Sequence, residues 1–194
     1  MSADMRMRVE RFICKAENLS WPEGIIDFNS SSFCVSGVKP LSEVNDEILS
    51  AFVWCWSMKD NLKKSLYDSK LHKSQKVFSK HFEQEINNYF ELTVCADIAN
   101  IAKHSGLSKE PRSGLHVRLD TSHLINISKD SVDHVQRLGG NYYITPKNDD
   151  SVKLQAFIVN EDGERILDAF LCLEKSLVAW DRISGKYLNS VLSE

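Results

Sequence analysis

The sequence predicts an α+β protein, mainly α, in which four helices form a bundle and a small antiparallel β insertion precedes the last helix. Apolar residues recur at three-to-four spacing in four segments, and this spacing changes to two between about residues 115 and 160. A composition of 42% hydrophobic and 26% charged residues over 194 residues is typical of one globular domain. Disordered, collagen and coiled-coil classes are therefore excluded.

The N-terminal part, residues 1–40, is predicted to be an irregular leader. Its charged start, residues 1–11, is not followed by an apolar stretch, so we expect neither a signal peptide nor a membrane anchor. Turn-forming residues then interrupt short apolar runs, and two short strands are expected at 24–28 and 32–38. The rest of the chain, residues 41–194, is predicted to be a single helical domain.

Four segments carry helical patterns. Ser42 is suited to cap the first helix, which is predicted over about 42–68. Acidic residues in the following turn also favour a helix start, because they interact with the positive end of the helix dipole. The other helices are predicted over about 73–87, 88–104 and 163–186. Each has one apolar stripe that needs a partner, and a bundle supplies partners to all four.

The insertion at about 115–160 shows the alternation of apolar and polar residues that strands require. Turn-forming residues separate the alternating runs, so an antiparallel sheet is expected. The predicted strands are 116–120, 124–128, 141–145 and 152–159.

Net charge and cysteine usage limit the classes of function. Twenty-four Lys and Arg stand against 27 Asp and Glu, so no global positive field attracts nucleic acid or a membrane. A local excess of lysine between residues 59 and 85 is either a weak RNA-facing surface or the solvated face of two helices. The five cysteines form no CxxC pair, and no His or Cys pair has the spacing of zinc ligands. We expect reduced thiols, a cytoplasmic protein, and no metal or cofactor.

Asp97, Asn100 and His104 form the most informative constellation. On a helix they fall within about 60° of one another, beside the apolar stripe. A carboxylate that orients an imidazole, with an amide as donor, is suited to general acid or base chemistry on a phosphodiester. Polar residues beside an apolar stripe more often hydrogen-bond between helices, however, and His104 could then close the helix end.

This helix, the tryptophan-containing first helix and the closing helix together resemble divergent members of the HEPN superfamily, a group of helical-bundle proteins. The resemblance covers residues 42–106 and 163–186. It rests on Trp54, Trp56, Lys59-Asp60, the run from Asp97 to His104, and Trp180.

The resemblance implies a four-helix bundle that forms homodimers and, in active members, a metal-independent RNase in which four to six residues separate an Arg from the His that follows it. His104 matches that His, and Asn100 matches the polar position after the Arg. The Arg itself is absent, since Asp97, Ile98 and Ala99 occupy its positions. Lys103 and Arg112 are the nearby cations that could replace it in binding the substrate phosphate.

Two main functions follow. The first is a binding or assembly module, expected as a homodimer and linked to RNA or phage defence by the resemblance alone, with one of Trp54 and Trp56 at the dimer interface. The alternative is a metal-independent RNase in which His104 is the general acid or base, supported by Asn100 and Asp97. A third option, a small-molecule site between sheet and bundle, would be lined by Tyr142, Tyr143 and Trp180.

Overall fold

The computed structural model describes most of the chain, and its described parts contain five helices and seven strands. The helices are α1 (Ala3–Glu17), α2 (Leu41–Asp68), α3 (Gln75–Ile86), α4 (Phe90–His104) and α5 (Ala169–Val191). The strands are β1 (Ile26–Phe28), β2 (Phe33–Val35), β3 (Arg118–Ile125), β4 (Val132–Leu138), β5 (Asn141–Pro146), β6 (Val152–Val159) and β7 (Arg165–Asp168). The described residues are 3–17, 26–28, 33–35, 40–68, 74–104, 110–125, 130–138, 141–147 and 152–191.

The predicted fold class is confirmed, because the protein is α+β and mainly helical. The three helices predicted over 42–68, 73–87 and 88–104 correspond to α2, α3 and α4, with ends that differ by at most two residues. Periodicity placed these helices well because apolar residues recur in each at three-to-four spacing.

The bundle consists of α1, α2, α4 and α5, which enclose the hydrophobic core. Helix α4 is its most enclosed member, since every residue from Leu92 to Ala99 is buried. Trp180 of α5 is fully buried, and its indole N–H donates a 3.1 Å hydrogen bond to the backbone carbonyl of Cys55. This bond satisfies the polar atom of the largest core side chain.

Helix α1 corrects the prediction of an irregular leader over residues 1–40. Val9, Phe12 and Ile13 recur at helical spacing and are buried against α2 and α5, and the rings of Phe12 and Phe170 lie 6.0 Å apart. The charged residues among them hide this short apolar stripe in the sequence. Strands β1 and β2 fall within the two short strands expected at 24–28 and 32–38.

Helix α3 packs on the outside of the bundle through aromatic rings. Phe78 contacts Tyr67 of α2, and both Phe78 and Phe82 contact Tyr187 of α5, with ring centres 5.6 to 6.1 Å apart. Because α1 occupies a place within the bundle, α3 covers the α2–α5 seam instead of completing the four-helix set.

The strands form two sheets instead of the single antiparallel sheet that we predicted. Sheet A has the order β1-β2-β5-β4 and includes a parallel β2–β5 pair, whereas sheet B has the order β3-β6-β7 and is antiparallel. Strand β3 replaces the two strands predicted at 116–120 and 124–128, and β4 was not predicted at all. Sheet B packs on the bundle through Ile158 and a 2.7 Å hydrogen bond from Thr121 to Asn45.

The last helix begins later than the predicted residue 163, because a short strand precedes it. Asp168 ends β7, and its Oδ1 accepts hydrogen bonds of 2.9 and 3.0 Å from the backbone N–H groups of Phe170 and Leu171. A carboxylate in this position caps the N-terminus of a helix, and its negative charge interacts favourably with the positive end of the helix dipole. Ile166, which fits the helical spacing, therefore lies on β7.

Candidate functional site

The residues of the predicted polar strip on α4 lie in different environments. Asp97 is 1% exposed, Asn100 is half-buried, and Lys103 and His104 are exposed in the last turn. The structure therefore leaves the imidazole in solvent and directs the carboxylate into the protein. Asp97, Asn100 and His104 do lie on one helix at the predicted spacing. This side of α4 is buried at Asp97 and exposed to solvent at His104.

Asp97 binds the backbone of the loop that follows α4. Its Oδ1 accepts a 2.8 Å hydrogen bond from the backbone N–H of Arg112, and its Oδ2 accepts one of equal length from Ser113. Both carboxylate oxygens are thus occupied by backbone donors. The structure brings Asp97 together with Arg112, two of the predicted site residues, and does so through the main chain of Arg112.

The side chain of Arg112 belongs to a group of charges that we call the Glu83 cluster, which consists of Trp56, Lys59, Lys63, Glu83 and Arg112. Nη2 of Arg112 pairs closely with Oε2 of Glu83. On the other carboxylate oxygen, Nζ of Lys59 lies 3.5 Å from Oε1 and Nζ of Lys63 lies 3.8 Å from it. Three cations therefore face one carboxylate, which leaves a local excess of positive charge.

The ring of Trp56 forms the floor of the Glu83 cluster. Nζ of Lys59 lies 4.8 Å from the ring centre, and Cζ of Arg112 lies 5.2 Å from it. Both distances are within the range of cation–π attraction. The indole is 8% exposed and packs against Trp180, so it is a fixed surface on which the two cations rest.

Three different elements build the Glu83 cluster. Helix α2 supplies Trp56, Lys59 and Lys63, whose spacing of three and four residues places them on one face. Glu83 comes from α3, and Arg112 comes from the loop that Asp97 holds. The cluster therefore depends on the packing of α3 on α2 and on one buried hydrogen-bonded carboxylate.

Electrostatics keeps Glu83 ionised. Burial would raise the pKa of this carboxyl, but the hydrogen bond from Arg112 and the charges of Lys59, Arg112 and Lys63 outweigh burial and lower the pKa. A carboxylate of lowered pKa that is paired with three cations is a weak base at neutral pH. The cluster is thus suited to binding an anion and is not suited to moving a proton.

The sequence pointed to only part of this site. Arg112 was a candidate cation, and Lys59 and Lys63 belonged to the noted lysine-rich run, whereas Glu83 and Trp56 were not connected with them. The spacing of Trp56, Lys59 and Lys63 is visible in the sequence. Their contact with Glu83 and Arg112 is not, because it depends on the packing of three separate segments.

The other tryptophan and tyrosine candidates lie elsewhere. Trp54 is half-buried beside α1, where Cζ of Arg8 lies 5.9 Å from its ring centre, and it lines a hollow of about 370 Å³ together with Phe12. Tyr142 and Tyr143 belong to sheet A, while Trp180 is enclosed in the bundle.

Comparisons with protein-family models, with curated proteins and with solved structures find no match for this chain. Its fold and site make it a mainly helical α+β protein whose Glu83 cluster is suited to binding an anion. Among the helices that the structure describes, none combines the length and the apolar character that crossing a bilayer requires. No three His, Cys, Asp or Glu side chains in the described ranges are arranged to hold a metal ion.

Proposed function

We propose that this protein is a binding module for the phosphate backbone of single-stranded RNA, and that the Glu83 cluster is the centre of its binding surface. The cytoplasmic location expected from the sequence, together with the homodimer and the link to phage defence that follow from the HEPN resemblance, belongs to this proposal as its cellular setting.

The single observation that carries the proposal is the charge of the Glu83 cluster. Lys59, Lys63 and Arg112 share one carboxylate, so two positive charges remain for an external anion. Phosphate contacts by Lys and Arg release counterions from nucleic acid, and this release supplies most of the sequence-independent affinity. Asp97 holds the backbone of Arg112 in place. The planar guanidinium of this residue is the donor best shaped to bind two oxygens of a phosphate.

Exposed lysines extend the positive surface beyond the cluster. Lys64 continues it along α2, and Lys76 and Lys80 stand on α3, all three exposed to solvent. A nucleic acid that follows this face would meet several cations in succession, as a polyphosphate chain requires. The overall net charge of −3 does not oppose this, because screening limits the distant charges to a range of about 8 Å.

The test is binding of a fluorescently labelled single-stranded RNA, measured by anisotropy between about 50 and 200 mM salt. The double variant Lys59→Gln/Lys63→Gln should weaken binding about tenfold at low salt and reduce the slope of log Kd against log salt by about 1.4. The matched control is Lys147→Gln, which removes an exposed lysine near the end of β5. Equal affinity of the double variant and wild type would overturn the proposal.

The same preparation tests the RNase alternative. RNA is incubated with the protein in EDTA, and its length is followed on a denaturing gel. Because His104 is exposed, His104→Ala should leave the melting temperature unchanged, so a loss of cleavage in this variant would report chemistry alone. Cleavage that disappears with His104 would replace the binding proposal with the RNase, whereas RNA that stays intact supports binding without cleavage.

A further inference from the structure

Among the strands that the structure describes, β4 forms an edge of sheet A. It stands last in the order β1-β2-β5-β4, and its residues from Asp133 to Leu138 are all exposed. Two of them are large and apolar, since Val135 is 51% exposed and Leu138 is 52% exposed. An edge strand presents unpaired backbone groups along one side, and these groups can pair with another strand.

The sequence of β4 is complementary to itself when two copies run antiparallel about Val135. Asp133 of one copy then lies opposite Arg137 of the other, and this pairing occurs twice. Val135 meets its own counterpart, and the remaining opposite pairs are His134 with Gln136 and Val132 with Leu138. Opposite charges and apolar pairs directly across an antiparallel ladder each stabilise it, whereas like charges destabilise it.

Neighbouring registers lack this complementarity. An alignment centred on Gln136 places Arg137 opposite Val135, and one centred on His134 places Asp133 opposite Val135. Either shift leaves all four charges of the two copies without an opposite charge directly across the ladder. The register centred on Val135 is therefore favoured by charge as well as by apolar contact.

The backbone directions of β4 agree with the same register. At one end of the β4–β5 ladder the backbone N–H of Lys147 donates a 2.9 Å hydrogen bond to the carbonyl of Ser131, so on the β5 side alternate residues counted back from Lys147 face β4, and these residues pair with His134 and Gln136. Alternation then directs the N–H and C=O groups of Gln136 and His134 to β5, and those of Val135 and Arg137 outward. A register shift between Val132 and His134 leaves Asp133 without a Cα partner on β5, so the alternation fixes these directions only from His134 onward.

We propose that two copies of this chain associate through antiparallel pairing of their β4 strands about a two-fold axis at Val135, which joins the two copies of sheet A into one sheet of eight strands. The inference rests on the homodimer of the proposed function and gives it an interface, but it uses no residue of the Glu83 cluster, so RNA binding and dimer formation can fail separately. Edge pairing adds main-chain hydrogen bonds and few buried side chains, so the dimer fraction should rise with protein concentration.

The test is sedimentation of the full-length protein over a concentration series up to about 0.1 mM. Wild type should approach twice the 22.1 kDa of one chain. Arg137→Asp places aspartates opposite each other twice and should stay monomeric, while Asp133→Arg/Arg137→Asp exchanges the charges and should restore the dimer. Lys147→Asp, a charge reversal at an exposed residue just after β5, should leave the dimer unchanged.

A second variant separates association from folding. Val135→Pro removes one N–H that points outward and is compatible with an edge strand, so the variant should keep the circular dichroism of wild type and lose the dimer. Wild type that is monomeric throughout the series would overturn the inference. A dimer that persists in both Arg137→Asp and Val135→Pro would also overturn it, because β4 would then lie outside the interface.

Discussion

A buried carboxylate in the middle of α4 connects the bundle to the loop that carries Arg112. The sequence left Asp97 either a catalytic role or a hydrogen-bonding role in packing, and the structure gives it two backbone N–H groups at 2.8 Å. The bonds hold residues 112 and 113 against the helix and so bring the guanidinium of Arg112 over Trp56. At the scale of single residues, Asp97 is therefore a positioning residue for the Glu83 cluster.

Replacing Asp97 should destabilise the protein strongly. Asp97→Ala leaves the N–H groups of Arg112 and Ser113 without their acceptor, and each such loss costs about 1–3 kcal/mol. We expect the free energy of unfolding, measured in urea, to fall by about 3 kcal/mol. Asp60→Ala removes an exposed aspartate from α2 and should change it by less than about 0.5 kcal/mol. Equal effects of the two variants would contradict this role.

The same variant distinguishes positioning from simple charge. Removing a negative charge alone should strengthen RNA binding, because the surface becomes more positive. If Asp97 acts by holding Arg112, the folded Asp97→Ala protein should instead bind RNA more weakly than wild type. Stronger binding would show that Arg112 keeps its place without Asp97.

Helix α1 illustrates what periodicity overlooks at the scale of an element. Its exposed side carries many charges, and its apolar side is limited to a few residues that include Val9, Phe12 and Ile13. A stripe this short is easily overlooked, whereas the longer stripe of α2 predicted that helix to within one residue at its start. The helix forms because the bundle supplies a surface for the stripe, and tertiary packing provides most of the stability of such helices.

Helix α1 should contribute measurably to stability. Phe12→Ala removes a side chain that is 7% exposed and contacts Phe170, and it should lower the free energy of unfolding by about 3 kcal/mol. Met7→Ala, in the same helix at 51% exposure, is the matched control and should change it by less than about 0.5 kcal/mol. Thermal melting checks both variants. If residues 3–17 were irregular instead of helical, neither variant would change the free energy of unfolding.

At the scale of the whole molecule, the sequence predicted the class and the three middle helices, but it did not predict their partners. An apolar stripe shows which face of a helix is buried but not which element covers that face. In the structure α1 therefore takes the place in the bundle that we had predicted for α3. Strand β4 escaped prediction because its residues are almost all exposed and both of its faces mix polar with apolar residues. The Glu83 cluster joins three segments, so no local pattern could reveal it.

The core also sets a limit to stability in alkaline solution. Burial raises the pKa of the Cys95 and Cys172 thiols, and neighbouring thiols, with Cys55 first among them, raise it further. Only the unfolded chain then releases these protons near the ordinary pKa of 9.0. The contribution of the two thiols is therefore complete below this pH and is lost as the pH rises above it.

We expect each of these two thiols to remove about 1.4 kcal/mol from the free energy of unfolding between pH 8 and pH 10. Urea unfolding under reducing conditions at the two pH values measures the loss. Cys172→Ala should show a loss that is smaller than that of wild type by about the same amount. A variant whose loss equals that of wild type would show that Cys172 ionises in the native protein.

The parallel pairing of β2 with β5 has a consequence for biosynthesis. Phe33 pairs with Tyr142, so the partner of an early strand leaves the ribosome only about 110 residues later. Because translation adds about 5–20 residues per second, several seconds pass between the synthesis of β2 and that of its partner β5. Sheet A is therefore expected to assemble last, at or after release of the nascent chain, and a ribosome stalled before residue 142 should display to chaperones the side of β2 that later pairs with β5.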